Sequence, residues 1–169
     1  MSADRPLVIN GWEIYAHPLF LDQLEQLTEK VEELRLKKPE DYKKKNPTKR
    51  LAAITQLAFD DIPQNPTREK YRQGGTLGNE DKHWFRAKFY QQYRLFFRYH
   101  LESRIIIYAW VNDTNSKRSY DSSTDAYKVF QKMLEKGYPP DDWDKLVEQA
   151  KAEQARLQEA AKTKKDLMY

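Results

Sequence analysis

Arg86 and Lys88, then Arg94 and Arg98, stand at even spacings in two short runs rich in aromatic residues, WFRAKFY at 84–90 and YRLFFRYHL at 93–101. Side chains alternate faces along a strand, so Trp84, Arg86, Lys88 and Tyr90 share one face of the first run. Arg94, Phe96, Arg98 and His100 share one face of the second. Cations grouped in this way hold phosphate, because arginine offers a fixed fork of donors and lysine a point charge. Given a further group that orients or deprotonates a ribose 2′-hydroxyl, such cations also stabilise the charge that develops in phosphodiester cleavage. A guanidinium is not an ordinary general base, so the role of the arginines is electrostatic and the proton is carried by another group.

Whether the two basic sets meet depends on the connection at Gln91-Gln92. A two-residue turn pairs position 90 with 93 and sends Arg94 away from Lys88, whereas a three-residue loop or a bulge brings them together. Neither glutamine suits the positive φ of the tight primed turns, which favours the odd register and a converged Arg86, Lys88 and Arg94. Aromatic residues on the same face are then placed to stack on bases. The rival reading is a solvated strand face whose charges guard a sheet edge.

The window from Lys82 to Arg118 holds eight Lys/Arg and ten aromatics against Glu102 and Asp113 alone. Its +6 exceeds the whole-chain +4, so charge is placed rather than spread, and an anionic partner is implied. Lys117 and Arg118 close this window beyond a third run at 104–112, and Tyr120 adds a phenol two residues on. His17, His83 and His100 lie apart, with no ligand spacing between them, and no cysteine is present. A disulfide framework, a thiolate metal site and a cysteine nucleophile are excluded, and a metal-dependent nuclease is disfavoured. Asp141, Asp142 and Asp144 read as helix-start carboxylates rather than metal ligands. No window approaches a membrane span and the N-terminus has no leader character, so a soluble cytoplasmic protein without cofactor is expected.

The elements that must position these residues follow from periodicity. Leu7, Ile9, Trp12, Ile14 and Ala16 give an N-terminal strand, broken at Asn10-Gly11 and ending at His17-Pro18. Phe20, Leu24, Leu27, Val31 and Leu34 stripe a helix over 18–36. A second stripe, Leu51 to Ile62, stops at Pro63, with Asn46 as its N-cap and 40–45 as a separate turn. A glycine-rich loop spans 63–82 with a short strand near Tyr71, followed by a three-stranded antiparallel meander. A helix at 126–134 ends at Gly137, and another begins near Asp141. The fold class is α+β: strand, helical hairpin, antiparallel sheet, C-terminal helices. One domain over 1–150 and a charged helical tail at 151–169 that frays are expected.

The segments NGWEIYAHPLF, HWFRAKFYQQYRLFFRY, WVNDTNSKRSY, TDAYKVF and KMLEKGYPPDDW resemble, in order and over about residues 10–145, the YhaV toxins of bacterial type II toxin–antitoxin systems. The resemblance implies a RelE-like fold and an endoribonuclease that cleaves mRNA, free or on the ribosome. It also implies inhibition by a PrlF-like antitoxin of the AbrB type with a swapped hairpin, and contact with operator DNA through that complex only. Residue by residue, it implies catalytic roles for Arg86, Lys88, Arg94, Arg118 and Tyr120. Tyr127 competes for the phenol role, because the spacing after Arg118 departs from the superfamily pattern. Arg98, Lys117, Trp84, Tyr127 and His17 are candidate substrate contacts. A non-catalytic RNA- or DNA-binding module on the same basic sheet is the second reading.

Overall fold

The computed structural model describes residues 5–73, 77, 81–113 and 125–168. Leu7–Ile9 (β1) and Trp12–Ala16 (β2) form an antiparallel hairpin rather than one broken strand. Its turn is Asn10-Gly11, with φ of 52° and 81°, the left-handed pair that a two-residue turn requires. Pro18–Lys37 (α1) follows, with proline in its first turn and His17 as N-cap, and buries Phe20, Leu21, Leu24, Leu27 and Val31.

After a 3-10 turn at Tyr42–Lys44, α2 runs from Asn46 to Gln56 with Lys45, not Asn46, at the cap and no side-chain cap bond. Nor does the helical path stop at Pro63. It widens into a π turn over Leu57–Asp61 and closes with a last turn, α3, at Ile62–Gln64. Proline lacks an N–H and crowds the carbonyl four residues earlier, here Phe59, and a widened turn at that point relieves both. Near Tyr71 the chain makes a 3-10 turn, Glu69–Tyr71, and a single bridge from Arg72 to Phe85 in place of a strand.

Phe85–Phe89 (β3), Tyr93–His100 (β4) and Ile105–Val111 (β5) form the expected meander. The sheet order is β1-β2-β5-β4-β3, and β2 pairs with β5 in parallel, so the sheet is mostly rather than wholly antiparallel. The crossover through α1 and α2 makes that parallel pair possible. β5, IIIYAWV, is central and buried throughout, which is why its apolar residues run without alternation.

Both faces of the sheet are covered. On one, Ala87, Phe89, Leu95, Phe97 and Tyr108 pack with buried residues of α1 and α2. On the other, Trp84, Phe96 and Trp110 pack with Tyr127 and Phe130 of α4 (Ala126–Glu135) and Leu146 of α5 (Trp143–Lys151). A bulge shifts the β4–β5 register between Phe96, opposite Trp110, and Phe97, opposite Tyr108. Ala109 and Trp110 therefore lie on the same face, and Trp110 stacks on Phe96 and Phe130.

The Asp125 side chain caps α4 by accepting from Tyr127 N, and Gly137, at φ 82°, follows its end. Asp142 caps α5 through Lys145 N. Gln154–Met168 forms a further helix, α6, and here the tail has more to bury than its composition suggests. Leu157 is 1% exposed, with Ala160 and Ala161 against the same core. Arg156 meets Asp22 at 2.6 Å and Glu25 at 2.7 Å on α1. Among the described residues, no helix is long and apolar enough to cross a membrane.

Candidate functional site

β3 and β4 pair with Phe89 opposite Tyr93, Lys88 opposite Arg94 and Arg86 opposite Phe96. The connection is thus a three-residue loop, Tyr90 to Gln92, and the odd register holds. Its reason differs from the sequence argument, since Gln91 does take positive φ (63°), as does Tyr90 (46°). Side chains hold this loop. Arg94 Nη1 donates to Gln91 O at 2.6 Å and to Tyr93 O at 3.0 Å. Asn112, fully buried at the end of β5, donates to Gln92 O at 2.9 Å and accepts from Arg94 N at 2.6 Å. Asn112 gives no signal in the sequence beyond its place after a strand.

The register brings Arg86 and Arg94 to one atom. Arg86 Nε donates to the Tyr127 hydroxyl at 2.8 Å and Arg94 Nε to the same oxygen at 3.2 Å. Arg86 Nη1 also donates to Lys70 O at 2.7 Å. Both arginines are buried, 9% and 5% exposed, and Tyr127 at 4% lies with them in the first turn of α4. Among the described residues neither guanidinium has a carboxylate partner, and no hydrogen bond is made by either Nη2. Two positive groups are therefore fixed side by side by neutral acceptors, with one donor edge of each uncommitted. Such an edge can donate to phosphate oxygens without reorganisation.

The other candidate residues divide. Lys88 is exposed opposite Arg94 and completes the cationic group. Tyr90 leaves it: the positive φ turns its ring toward α2, where its hydroxyl donates to Lys49 O. Trp84 is fully buried, edge-on to Phe130 with its indole N–H on Asp141, so no base can stack on it. Arg98 is held between the Trp84 and Trp143 rings at 5.4 and 5.1 Å and donates to Asp141 O at 2.6 Å. Burial there lowers its pKa against the charges of Asp141 and Asp142. The structure thus places Trp84 and Arg98 in the packing of α5 rather than with the arginine pair. Lys117, Arg118 and Tyr120 lie outside the described residues.

The aromatic residues that share the basic face form the second core, so the expectation that they stack on bases is corrected for Phe96 as well as Trp84. The histidines are structural in their contacts. His100 bonds Ser103 and stacks on Trp143. His83 lies 2.6 Å from Asp141, and the fold gathers Asp81, His83 and Asp141 with ligand atoms within 4.8 Å, a grouping that linear spacing conceals. Burial pushes the Asp141 carboxyl up, yet bonds from His83 and Trp84 and the His83 and Arg98 charges hold it below the usual range.

His17 caps α1, accepting from Leu19 N on Nδ1, so its proton sits on Nε2 and meets Gln149 Oε1 at 2.6 Å. Burial lowers its pKa, against that hydrogen bond and the Asp22 charge. The unfolded chain therefore takes up a proton before the folded one, and stability from this group, full above about pH 6.5, falls as pH drops. The slope is at most about 1.4 kcal/mol per pH unit. His17→Asn keeps a cap acceptor and should flatten thermal midpoint against pH below 6.5; an unchanged slope would remove the assignment.

Residues 14–151 match the model of a family described as a toxin with endonuclease activity, of a toxin–antitoxin system. Toxin YhaV of Escherichia coli O6:H1 is 44% identical over 148 residues, 86% of this chain and 96% of that protein. Ribonuclease toxin YhaV of Escherichia coli K12 is 44% identical over 146 residues, 85% of this chain and 95% of that protein. No solved structure matches the chain.

Proposed function

The chain belongs to the YhaV toxin family, and from that premise we propose that it is an endoribonuclease cutting mRNA by 2′-hydroxyl attack without a metal ion. The single observation that carries this reading is the Tyr127 oxygen shared by Arg86 and Arg94. The 2′-oxygen forms a bond to the adjacent phosphorus as the bond to the 5′-oxygen breaks. The products are a 2′,3′-cyclic phosphate and a 5′-hydroxyl. The non-bridging oxygens gain charge in the transition state, and in this reading the Nη2 groups of Arg86 and Arg94 donate to them. Lys88 adds a third charge at the open side, and Arg118 with Lys117 is assigned to the same phosphate or its neighbour. One proton leaves the 2′-hydroxyl and one reaches the 5′-oxygen, for which Lys88, Tyr120 and Tyr127 are the available side chains.

The partner of such a toxin is an antitoxin, and a PrlF-like protein that blocks this site is the proposed inhibitor, acting in the cytoplasm. Operator DNA is then reached through the complex. Tyr127→Phe should reduce cleavage about 100-fold, and more than Tyr120→Phe, because it deletes both the phenol proton and the atom that aligns the arginines. Equal rates for Tyr127→Phe and the parent would leave the phenol role to Tyr120.

The reaction itself is tested by one atom of the substrate. An RNA with 2′-deoxyribose at the scissile nucleotide should bind and remain uncut, while cutting at that position would end the proposed mechanism. Binding of RNA with no cutting of any ribose-containing strand would favour the non-catalytic module.

A further inference from the structure

Positive charge is not confined to the sheet. Residues 37–50, joining α1 to α2, carry seven Lys/Arg against Glu40 and Asp41. Lys49 and Arg50 from this segment, with Lys30 of α1, line a groove between the helical hairpin and the loop end of the sheet. It consists of two hollows of about 300 and 530 Å³ that share Lys30 and Arg50. Among the described lining residues Asp113 is the one carboxylate.

Two details point to an anionic, ring-bearing ligand. Arg50 packs its guanidinium 4.8 Å from the Tyr93 ring centre, and its Nε is buried with no hydrogen-bond partner among the described residues. That nitrogen is closed to the groove, so what Arg50 offers a ligand there is its positive charge. Tyr90, 55% exposed and tied by its hydroxyl to Lys49 O, offers a fixed ring. Of the exposed large apolar side chains Tyr90 alone lines the groove, and the apolar residues of its first hollow, Phe20, Leu24 and Ile54 among them, are buried beneath the cations. Cations beside an aromatic ring are what a single-stranded nucleic acid uses.

The groove and the arginine pair lie on opposite faces of the sheet and meet around the β3–β4 loop end at Tyr93, so a strand held by both wraps that end. Arg94 holds the Tyr93 carbonyl, and Arg50 covers the ring of the same residue. We propose that this groove carries the single-stranded RNA flanking the scissile phosphate. Backbone phosphates meet Lys30, Lys49 and Arg50, and one base lies on Tyr90. The inference rests on the ribonuclease reading and extends it to how the strand is held.

The probe is a 20-nucleotide unstructured RNA that the parent cuts, made uncleavable by a 2′-deoxy residue at the cut, beside a cleavable trinucleotide spanning the same cut. Lys30→Glu with Lys49→Glu changes two exposed side chains, and Lys162→Glu on α6 serves as a charge control. The double variant should bind the 20-mer at least tenfold more weakly. Its salt dependence should be shallower by about 0.7 per lost phosphate contact. Trinucleotide cleavage should stay within twofold of the parent. Tyr90→Ala should weaken 20-mer binding roughly tenfold without changing that salt slope. Affinity and slope equal to the Lys162→Glu control would overturn the groove assignment alone. So would loss of antitoxin binding with RNA binding intact, which would give the groove to a protein. Failure to find any unstructured RNA that the parent binds or cuts would instead bring down the ribonuclease reading, and the groove with it.

Discussion

Arg86→Ala is expected to slow single-turnover RNA cleavage about 100- to 1,000-fold, the loss usual when one fixed donor to a developing oxyanion is removed. The guanidinium makes two hydrogen bonds, Nε to Tyr127 and Nη1 to Lys70 O, and its third nitrogen, Nη2, makes none to a described residue. Alanine removes the third and also unpairs a carbonyl, at a cost of about 1–3 kcal/mol in stability. Urea unfolding of the variant separates that cost from the rate, because a folded variant with a lost rate isolates the chemistry. Arg86→Lys sharpens the test. It keeps the charge, but an ammonium cannot replace a guanidinium that spans Tyr127, Lys70 O and a phosphate oxygen, so most of the rate should still be lost. Full activity in Arg86→Lys would reduce the residue to a generic cation, and full activity in Arg86→Ala would remove it from the site.

Phe130→Ala should destabilise the protein by about 3–5 kcal/mol, the range for deleting a buried phenylalanine. Phe130 is fully buried, stacked on Phe96 at 4.3 Å and on Trp110 at 5.8 Å, with Trp84 edge-on at 5.0 Å. The hole left among three rigid rings on a sheet cannot close by a small shift. Phe130 is also one turn from Tyr127 on α4, so loosening it releases the phenol that aligns both arginines. The urea midpoint should fall with little change in slope, and cleavage should fall further than stability alone explains. A shift under 1 kcal/mol would contradict the view that α4 is pinned to the sheet by this ring.

The basic alternation at 84–98 was legible because strand geometry is local: Arg86, Lys88 and Arg94 do converge, on a register chosen by one loop. Glutamine is a poor residue for positive φ, yet Gln91 takes it because Arg94 and Asn112 hold the loop from outside. What alternation cannot reveal is what covers a face. Trp84, Phe96 and Arg98 have the types and spacing of a nucleic-acid platform, and α4 and α5 fold over them and make that face a second core. The same long-range packing brings Tyr127 to Arg86 across 41 residues, a contact that linear spacing does not reveal. Asp141, Asp142 and Asp144 look alike as helix-start carboxylates, but Asp142 caps α5 while Asp141 reaches back to His83 and Trp84. Charge summed over a window hid the second basic segment at 37–50, because acidic residues elsewhere in the helices offset it in the total.

The central claim is that side chains alone, with Arg86 and Arg94 aligned on Tyr127, drive 2′-hydroxyl attack. The most direct measurement is end analysis of RNA cut by the purified toxin after exhaustive chelation with EDTA. A 2′,3′-cyclic phosphate and a 5′-hydroxyl, formed at the rate seen without EDTA, are expected. A 3′-hydroxyl with a 5′-phosphate, or cleavage that stops on chelation and returns with a divalent ion, would contradict it.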